Sequence, residues 1–146
     1  MAFQLHPRLA ADCVLVGELP LCKLLLMNES RYPWCILVPR RASVTEIYRL
    51  DASDRRQLLD ESCLLAETMQ RLFQPDKLNI AAIGNLVPQL HLHHVARYQT
   101  DAAWPAPVWG KFTPETYSKE ALQQRLTELR LALSDHGLSL GESLLY

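Results

Sequence analysis

The feature that most constrains the fold is a pair of apolar runs joined by a short polar loop. Residues 21–27 are almost continuously apolar, which is the pattern of a strand covered on both faces. The loop N-E-S-R-Y-P separates this run from residues 34–38, a second strand that Pro39 closes. Two neighbouring strands with so short a connection predict an antiparallel pair.

Other patterns add strands and helices to this pair. Apolar stretches predict three more strands, at residues 13–17, 78–83 and 89–98. Apolar residues recur at helical spacing over residues 53–73 and again over 118–134, and Thr45 can cap a short helix that ends at Leu50. The order of strands, helix, strands and helix predicts an α+β fold with an antiparallel sheet of about five strands, a long helix and a C-terminal helix.

Composition limits the class of protein. The chain has 146 residues, of which 49% are apolar, and a net charge of −1. This length predicts a single domain over residues 1–146. A near-neutral charge provides no basis for non-specific binding to a nucleic-acid polymer. No apolar stretch approaches the ~20 residues of a membrane helix, so we expect no membrane partner.

The four cysteines are Cys13, Cys22, Cys35 and Cys63. No two of them form a C-x-x-C pair, which argues against a structural zinc site and a thioredoxin-like redox motif. The N-terminus lacks the apolar run of a signal peptide. We therefore expect a reduced, cytoplasmic protein without disulfides.

The predicted strand that begins at Gln89 carries the chemistry. Side chains alternate between the faces of a strand, so Gln89, His91 and His93 share one face while His94 joins leucines on the other. Two imidazoles roughly 6.5–7 Å apart can bind a metal or act on a phosphate, and they can also be an ordinary polar face. His94 is expected to be a hydrogen-bonded core residue. Because it points away and no carboxylate or cysteine is adjacent, we predict no metal site.

The segment Q-L-H-L-H-H-V resembles the signature of the histidine triad (HIT) superfamily, His-φ-His-φ-His-φ-φ, with Gln89 in place of the first histidine. Other positions agree in order. Asn28 precedes a strand ending in V-P, Asn79 lies about ten residues before the triad, and a G-N turn enters the triad strand. The segment W-P-A-P-V-W-G is similar to a family tail. The resemblance spans about residues 12–110 and leaves 111–146 as a C-terminal extension.

The resemblance implies a HIT-like fold and chemistry at the α-phosphorus of dinucleoside polyphosphates or nucleoside phosphoramidates, as in diadenosine polyphosphate hydrolases. His91 would attack phosphorus and form a nucleotidyl-histidine, which water or another acceptor then cleaves. His93 would supply a hydrogen bond or a proton. The main-chain carbonyl of Gln89 would orient His91, although the Gln89 amide cannot transfer a proton at neutral pH. No cofactor is implied.

The resemblance also implies contacts with the nucleotide. Asn28 would bind ribose, Trp34 and Ile36 would flank the base, and Asn79 and Asn85 would lie near the phosphates. Trp104 and Trp109 would stack on substrate or fasten a homodimer in which two sheets join. From the residues alone, the three asparagines are equally well turn residues, and the aromatic residues are equally well packing residues.

Two further interpretations complete this reading. Arg40, Arg41 and Arg97 are interpreted as a solvated rim without a role. The alternative function is a nucleotide-binding or scaffold protein with little turnover, which Gln89 leaves open. The presence of both His91 and His93 favours an enzyme.

Overall fold

A computed structural model describes residues 2–140, so residues 1 and 141–146 of the predicted domain lie outside the described part. The strands form one antiparallel sheet in the order β1-β2-β3-β5-β4. This confirms the predicted α+β class with a five-stranded sheet. The elements are Pro7–Asp12 (α1), Cys13–Glu18 (β1), Cys22–Met27 (β2), Trp34–Pro39 (β3), Ala52–Phe73 (α2), Lys77–Ala81 (β4), Leu92–Arg97 (β5) and Lys119–Leu133 (α3).

Helices α2 and α3 cover one face of the sheet. Their apolar stripes pack on the inward leucines and cysteines of the strands to form the larger core cluster. The carboxylate of Glu61, on α2, accepts hydrogen bonds from the backbone N–H groups of Leu21 and Cys22 at 2.8 and 2.9 Å. A buried side chain therefore ties the long helix to the start of β2.

The opposite face is covered without a long helix. Trp34, Ile36, Val38 and Val95 form a second apolar cluster there. The N-terminal segment, α1, the turn at residues 83–88 and the loop at 103–110 pack over this cluster. Because loops and one short helix cover this face, it retains clefts that lead to the sheet.

Three local features differ from the sequence prediction. Helix α1 was not predicted, because its N-cap is a histidine: His6 Nδ1 accepts from the Arg8 N–H at 3.1 Å, and histidine is not a usual cap. The predicted helix at 45–50 is a single 3-10 turn, Ile47–Arg49. The predicted strand at 89–98 begins only at Leu92.

The late start of β5 has a cause in the sequence of β3. Leu37 pairs with Leu92 in this antiparallel ladder, so continuing the register by two residues would set Pro39 against Leu90. Proline has no N–H to continue the ladder. The N–H of Leu90 bonds instead to the carbonyl of Val44 at 2.9 Å, and residues 89–91 form an irregular approach to the strand.

The β1 edge of the sheet is occupied by the C-terminal part of the chain. Arg130 donates to the carbonyls of Val16 and Leu15 at 2.9 and 3.0 Å, and Ser139 exchanges two backbone hydrogen bonds with Glu18. Strand β4 is at the other edge of the sheet. Across residues 2–140, none of the helices has the length and apolar character that a membrane span requires.

Candidate active site

His91 lies immediately before β5, with its ring held by the backbone two residues earlier. Its Nδ1 is 2.7 Å from the carbonyl oxygen of Gln89. A carbonyl oxygen can only accept, so Nδ1 carries the proton and Nε2 keeps an unprotonated lone pair. The ring is almost buried but lines two clefts. A neutral imidazole with one nitrogen bonded and the other free is chemically able to act as a nucleophile.

His93 packs edge-on against His91, with ring centroids 4.8 Å apart. The Nε1–H of Trp34 donates to His93 Nδ1 at 3.1 Å, so the proton of His93 is on Nε2, which is 3.3 Å from the carbonyl of Ile83. Burial, with a smaller contribution from neighbouring His91, lowers the pKa of His93 to about 4. His93 is therefore a neutral hydrogen-bond donor at neutral pH and not an imidazolium acid.

The first cleft beside these histidines, here called the aromatic cleft, has a volume of about 350 Å³. Trp109 closes one side of it, with its ring 5.4 Å from that of His93 and 6.0 Å from that of Trp34. Apolar side chains dominate the rest of its wall, and Asn85 is at its rim. Its lining includes Leu9, Cys13, Met27, Ile36, Ile83, Leu86 and Val87, with Arg8 and Asp12 from α1.

The second cleft, here called the polar cleft, reaches His91 from the other side and also measures about 350 Å³. Its lining includes Thr45, Glu46, Gly84, Asn85, Pro88 and Gln89. Gly84 is needed where the two clefts meet, because a Cβ there would lie 2.8 Å from the Val87 carbonyl oxygen and 3.6 Å from His91 Cε1. His91 thus separates an apolar compartment from a polar one.

Other potentially reactive groups near the site are inactive or remote. Burial, with help from Asp12, raises the pKa of Cys13 to about 12, so this cleft residue is a thiol at neutral pH. His94 faces α2, where its Nδ1–H donates to Leu92 and its Nε2 accepts from Ser62 at 2.7 Å. Within residues 2–140, no group of three or more His, Cys, Asp and Glu side chains is arranged to hold a metal.

Comparison with known proteins places this geometry in a family. A model described as the HIT domain matches residues 8–100. The chain belongs to the HIT domain family. HIT proteins bind nucleotides, and members are commonly nucleotide hydrolases or transferases.

Solved HIT structures resemble the chain over nearly its whole length. A histidine triad protein from Marinobacter aquaeolei VT8 is 51% identical, with a TM-score of 0.90, and the match covers 92% of this chain and 98% of that one. One from Bradyrhizobium japonicum is 44% identical, with a TM-score of 0.89 and coverage of 90% and 98%. One from Sinorhizobium meliloti 1021 is 39% identical, with a TM-score of 0.87 and coverage of 90% and 97%. No curated protein matches the chain closely.

The structure brings together most of the residues that the HIT resemblance singled out. Gln89, His91, His93 and Asn85 surround the junction of the two clefts, and Ile36 lines the aromatic cleft. Trp34 is also at this cleft, but it is buried and its indole N–H is committed to His93. Trp34 thus supports a site histidine in addition to forming a wall.

Three predicted nucleotide contacts lie elsewhere. Asn28 Oδ1 accepts from the Tyr117 N–H at 2.9 Å, and Tyr117 packs on the helix side of the sheet. The polar side chain that faces the site at this strand end is the next one, Glu29, which lines a small cavity of about 150 Å³ beside Trp34 and Trp109. Asn28 therefore acts as a tether for the segment that leads to α3.

Asn79 and Trp104 belong to a buried cluster around Arg97, which corrects the interpretation of Arg97 as a solvated residue. Arg97 is 1% exposed and makes a two-pronged ion pair with Asp101, at 2.8 and 3.1 Å. It also donates to Asn79 Oδ1 at 2.9 Å and lies 5.6 Å from the ring of Trp104. These residues fix the loop after β5 and do not line the clefts.

Sequence reasoning missed Glu29 and α1, and it did not distinguish Trp109 from Trp104. The parity of β2 could have found Glu29, because Leu25, Met27 and Glu29 alternate onto the site face. The loop at 103–110 has no such period, so its two tryptophans could not be assigned to a face from the sequence.

Proposed function

We propose that this HIT protein is a nucleotide hydrolase or transferase that acts at an α-phosphorus through a nucleotidyl intermediate on His91. Its substrates would be dinucleoside polyphosphates or nucleoside phosphoramidates, not nucleic-acid polymers. The observation that carries this proposal is the hydrogen bond from His91 Nδ1 to the Gln89 carbonyl, which leaves Nε2 as the free lone pair.

The first step forms a bond between His91 Nε2 and phosphorus while the bond from phosphorus to the leaving group breaks with its electron pair. The imidazole becomes positively charged, and the Gln89 carbonyl stabilises the charge through Nδ1–H. Water then attacks phosphorus, its proton passes to solvent, and the nucleotide leaves with His91 restored. His93 Nε2–H, held only at 3.3 Å from Ile83, is positioned to donate to a phosphoryl oxygen.

The two clefts fit the two halves of such a substrate. The aromatic cleft has the apolar and aromatic lining that suits a nucleoside. The polar cleft, with Thr45, Asn85 and Gln89, suits the leaving group. The α-phosphorus would then lie between them, against His91.

A second candidate is a nucleotide-binding protein with little turnover. The observation in its favour is that the Gln89 side chain takes no part in proton transfer, since its amide is bonded to the N-terminal segment. Only the enzyme would form the covalent nucleotidyl-histidine intermediate, so detecting this intermediate distinguishes the two candidates.

The decisive experiment is acid-labile labelling with an α-³²P dinucleoside polyphosphate or phosphoramidate, together with product chromatography. His91→Ala should lose the label and at least about a hundredfold in turnover, because the attacking atom is gone. His136→Ala, which changes an exposed histidine on the turn after α3, is the matched control and should behave as wild type. Substantial turnover by His91→Ala would identify a different nucleophile, and binding without label in the wild type would favour the second candidate.

We also propose that turnover needs no metal or other cofactor, and that the protein acts in the cytoplasm. Purified protein should contain no stoichiometric zinc, and a chelator should change neither its unfolding midpoint nor its activity. One tightly bound zinc per chain by elemental analysis would contradict this proposal.

Finally, we propose that the chain forms a homodimer through its open sheet edge. A groove of about 400 Å³ runs between α2 and β4 and is lined by Ile47, Leu58, Leu59, Ala66, Ile80 and Leu92. Leu59 and Ile80 are 64% and 48% exposed, which is unusual for large apolar side chains side by side. A second copy would cover both the groove and the unpaired edge of β4.

A further inference from the structure

The Gln89 side chain makes two hydrogen bonds with the backbone of a segment far away in sequence. Its Oε1 accepts from the N–H of His6 at 2.8 Å, and its Nε2 donates to the carbonyl of Gln4 at 2.8 Å. One donor and one acceptor on alternate residues is the pairing that a neighbouring strand would provide. The Gln89 amide therefore satisfies the backbone groups of residues 4–6 in the way that a paired strand would.

This segment leads directly into α1. His6 is the N-cap of that helix, and its Nδ1 accepts from the Arg8 N–H. Leu9 anchors the helix in the second apolar cluster, while Arg8 and Asp12 line the aromatic cleft. Arg8 is the basic side chain that this helix brings to the cleft, and its ion pair with Asp12 is long at 3.6 Å and solvent-exposed.

We propose that Gln89 is a positioning residue whose side-chain amide clamps residues 4–6, and through them α1, as a fixed wall of the aromatic cleft. The clamp acts on substrate affinity, because it places Arg8 where an anionic nucleotide enters. The main-chain carbonyl of Gln89 has the separate task of orienting His91. Removing the side chain leaves that carbonyl in place, so the two tasks can be separated by substitution.

The clamp can be measured without any substrate. In Gln89→Ala, amide hydrogen exchange at His6 and in α1 should become about twentyfold faster, since two hydrogen bonds are lost and each is worth about a factor of five. Gln89→Glu has the same shape and keeps the acceptor but loses the donor to Gln4, so its effect should be intermediate. Gln99→Ala, at an exposed glutamine, should leave this exchange unchanged.

A double-mutant cycle tests whether Gln89 acts through the segment. His6 has φ −55°, which proline can adopt, so His6→Pro removes the N–H that binds Gln89 together with the imidazole cap. His6→Ala removes only the imidazole and serves as the matched background. Adding Gln89→Ala to His6→Ala should raise KM about fivefold with kcat within about twofold. Adding it to His6→Pro, where only the bond to Gln4 is left to lose, should raise KM by about twofold.

Two results would overturn the clamp. One is unchanged exchange at His6 and α1 in Gln89→Ala, and the other is a fall in kcat comparable to that of His91→Ala. The kinetic part rests on the proposed function, while the exchange part does not. A wild type without turnover but with a protected His6 amide that Gln89→Ala releases would reject the proposed function and support the clamp.

Discussion

At the scale of single residues, the indole of Trp34 controls the state of His93. Replacing it by phenylalanine removes the N–H that His93 Nδ1 accepts, so the buried nitrogen loses its partner. We expect Trp34→Phe to lower kcat about tenfold. The ring of His93 should no longer be held in its Nε2–H tautomer, and ¹⁵N NMR detects a change of tautomer. Trp109→Phe is the control, because the indole N–H of Trp109 has no hydrogen-bond partner within residues 2–140. Equal losses in both variants would assign the effect to packing.

The buried histidines make stability depend on pH. Burial lowers the pKa of His93 and of His94 to about 4, so the unfolded chain binds more protons than the folded one between about pH 4 and 6.5. The free energy of unfolding should therefore fall as the pH is lowered through this window, by about 2–4 kcal/mol between pH 7 and pH 5. Denaturant titrations at several pH values measure it. His94→Gln should remove about half of the fall, and a flat profile in the wild type would contradict the assignment.

The predicted site residues that the structure brings to the clefts are those governed by strand alternation. Ile36 and His93 share a face because they pair in register, and His91, just before β5, keeps the same parity. Asn28 follows a strand and Trp104 is in a loop, where a side chain can bond to the nearest free backbone group or lie beside a cation. Asn79 is in the middle of the edge strand β4, where its side chain reaches Arg97. Asn28 bonds to the N–H of Tyr117, which is 89 residues away, and Asn79 bonds to Arg97, which is 18 residues away. Trp104 lies beside the same buried ion-pair cluster around Arg97. No local sequence pattern predicts these contacts.

At the scale of elements, the turn that enters β5 depends on Gly84. A methyl group at this position would lie 2.8 Å from a backbone oxygen, so the turn must shift beside His91. Gly84→Ala should lower the free energy of unfolding by about 1–3 kcal/mol and reduce kcat as well. Gly110→Ala is the contrast: its methyl group meets nothing within 4 Å, and only its φ of +74° is strained. Gly110→Ala should therefore lose stability without a matching loss in kcat.

The long elements could be predicted because periodicity and burial agree within them. Helix α2 and strands β2 and β3 have apolar patterns of sufficient length, and the structure has them within one or two residues of the predicted bounds. Helix α1 has six residues and relies on a histidine cap and on the Gln89 clamp. A helix of that length owes its stability to tertiary contacts, which local propensity does not encode.

At the scale of the whole molecule, the apolar groove between α2 and β4 is the surface through which we propose that two chains associate. Leu59→Lys or Ile80→Lys would place a charge in the proposed interface, and sedimentation equilibrium should then give the chain mass of 16.7 kDa in place of twice that value. Leu131→Lys is the matched control, since Leu131 is equally exposed but on α3. A wild-type monomer at micromolar concentration would refute the dimer.

The guanidinium of Arg130 already binds the carbonyls of Leu15 and Val16 on β1, and the backbone of Ser139 binds both backbone groups of Glu18. A sheet with two open edges can add further chains without limit, as fibres do. A sheet with one open edge can pair with one other copy and then has no open edge left. Helix α3 and Ser139 therefore limit growth at this edge of the sheet. Under the homodimer proposal, an assembly through this sheet is expected to be finite and to close at two chains.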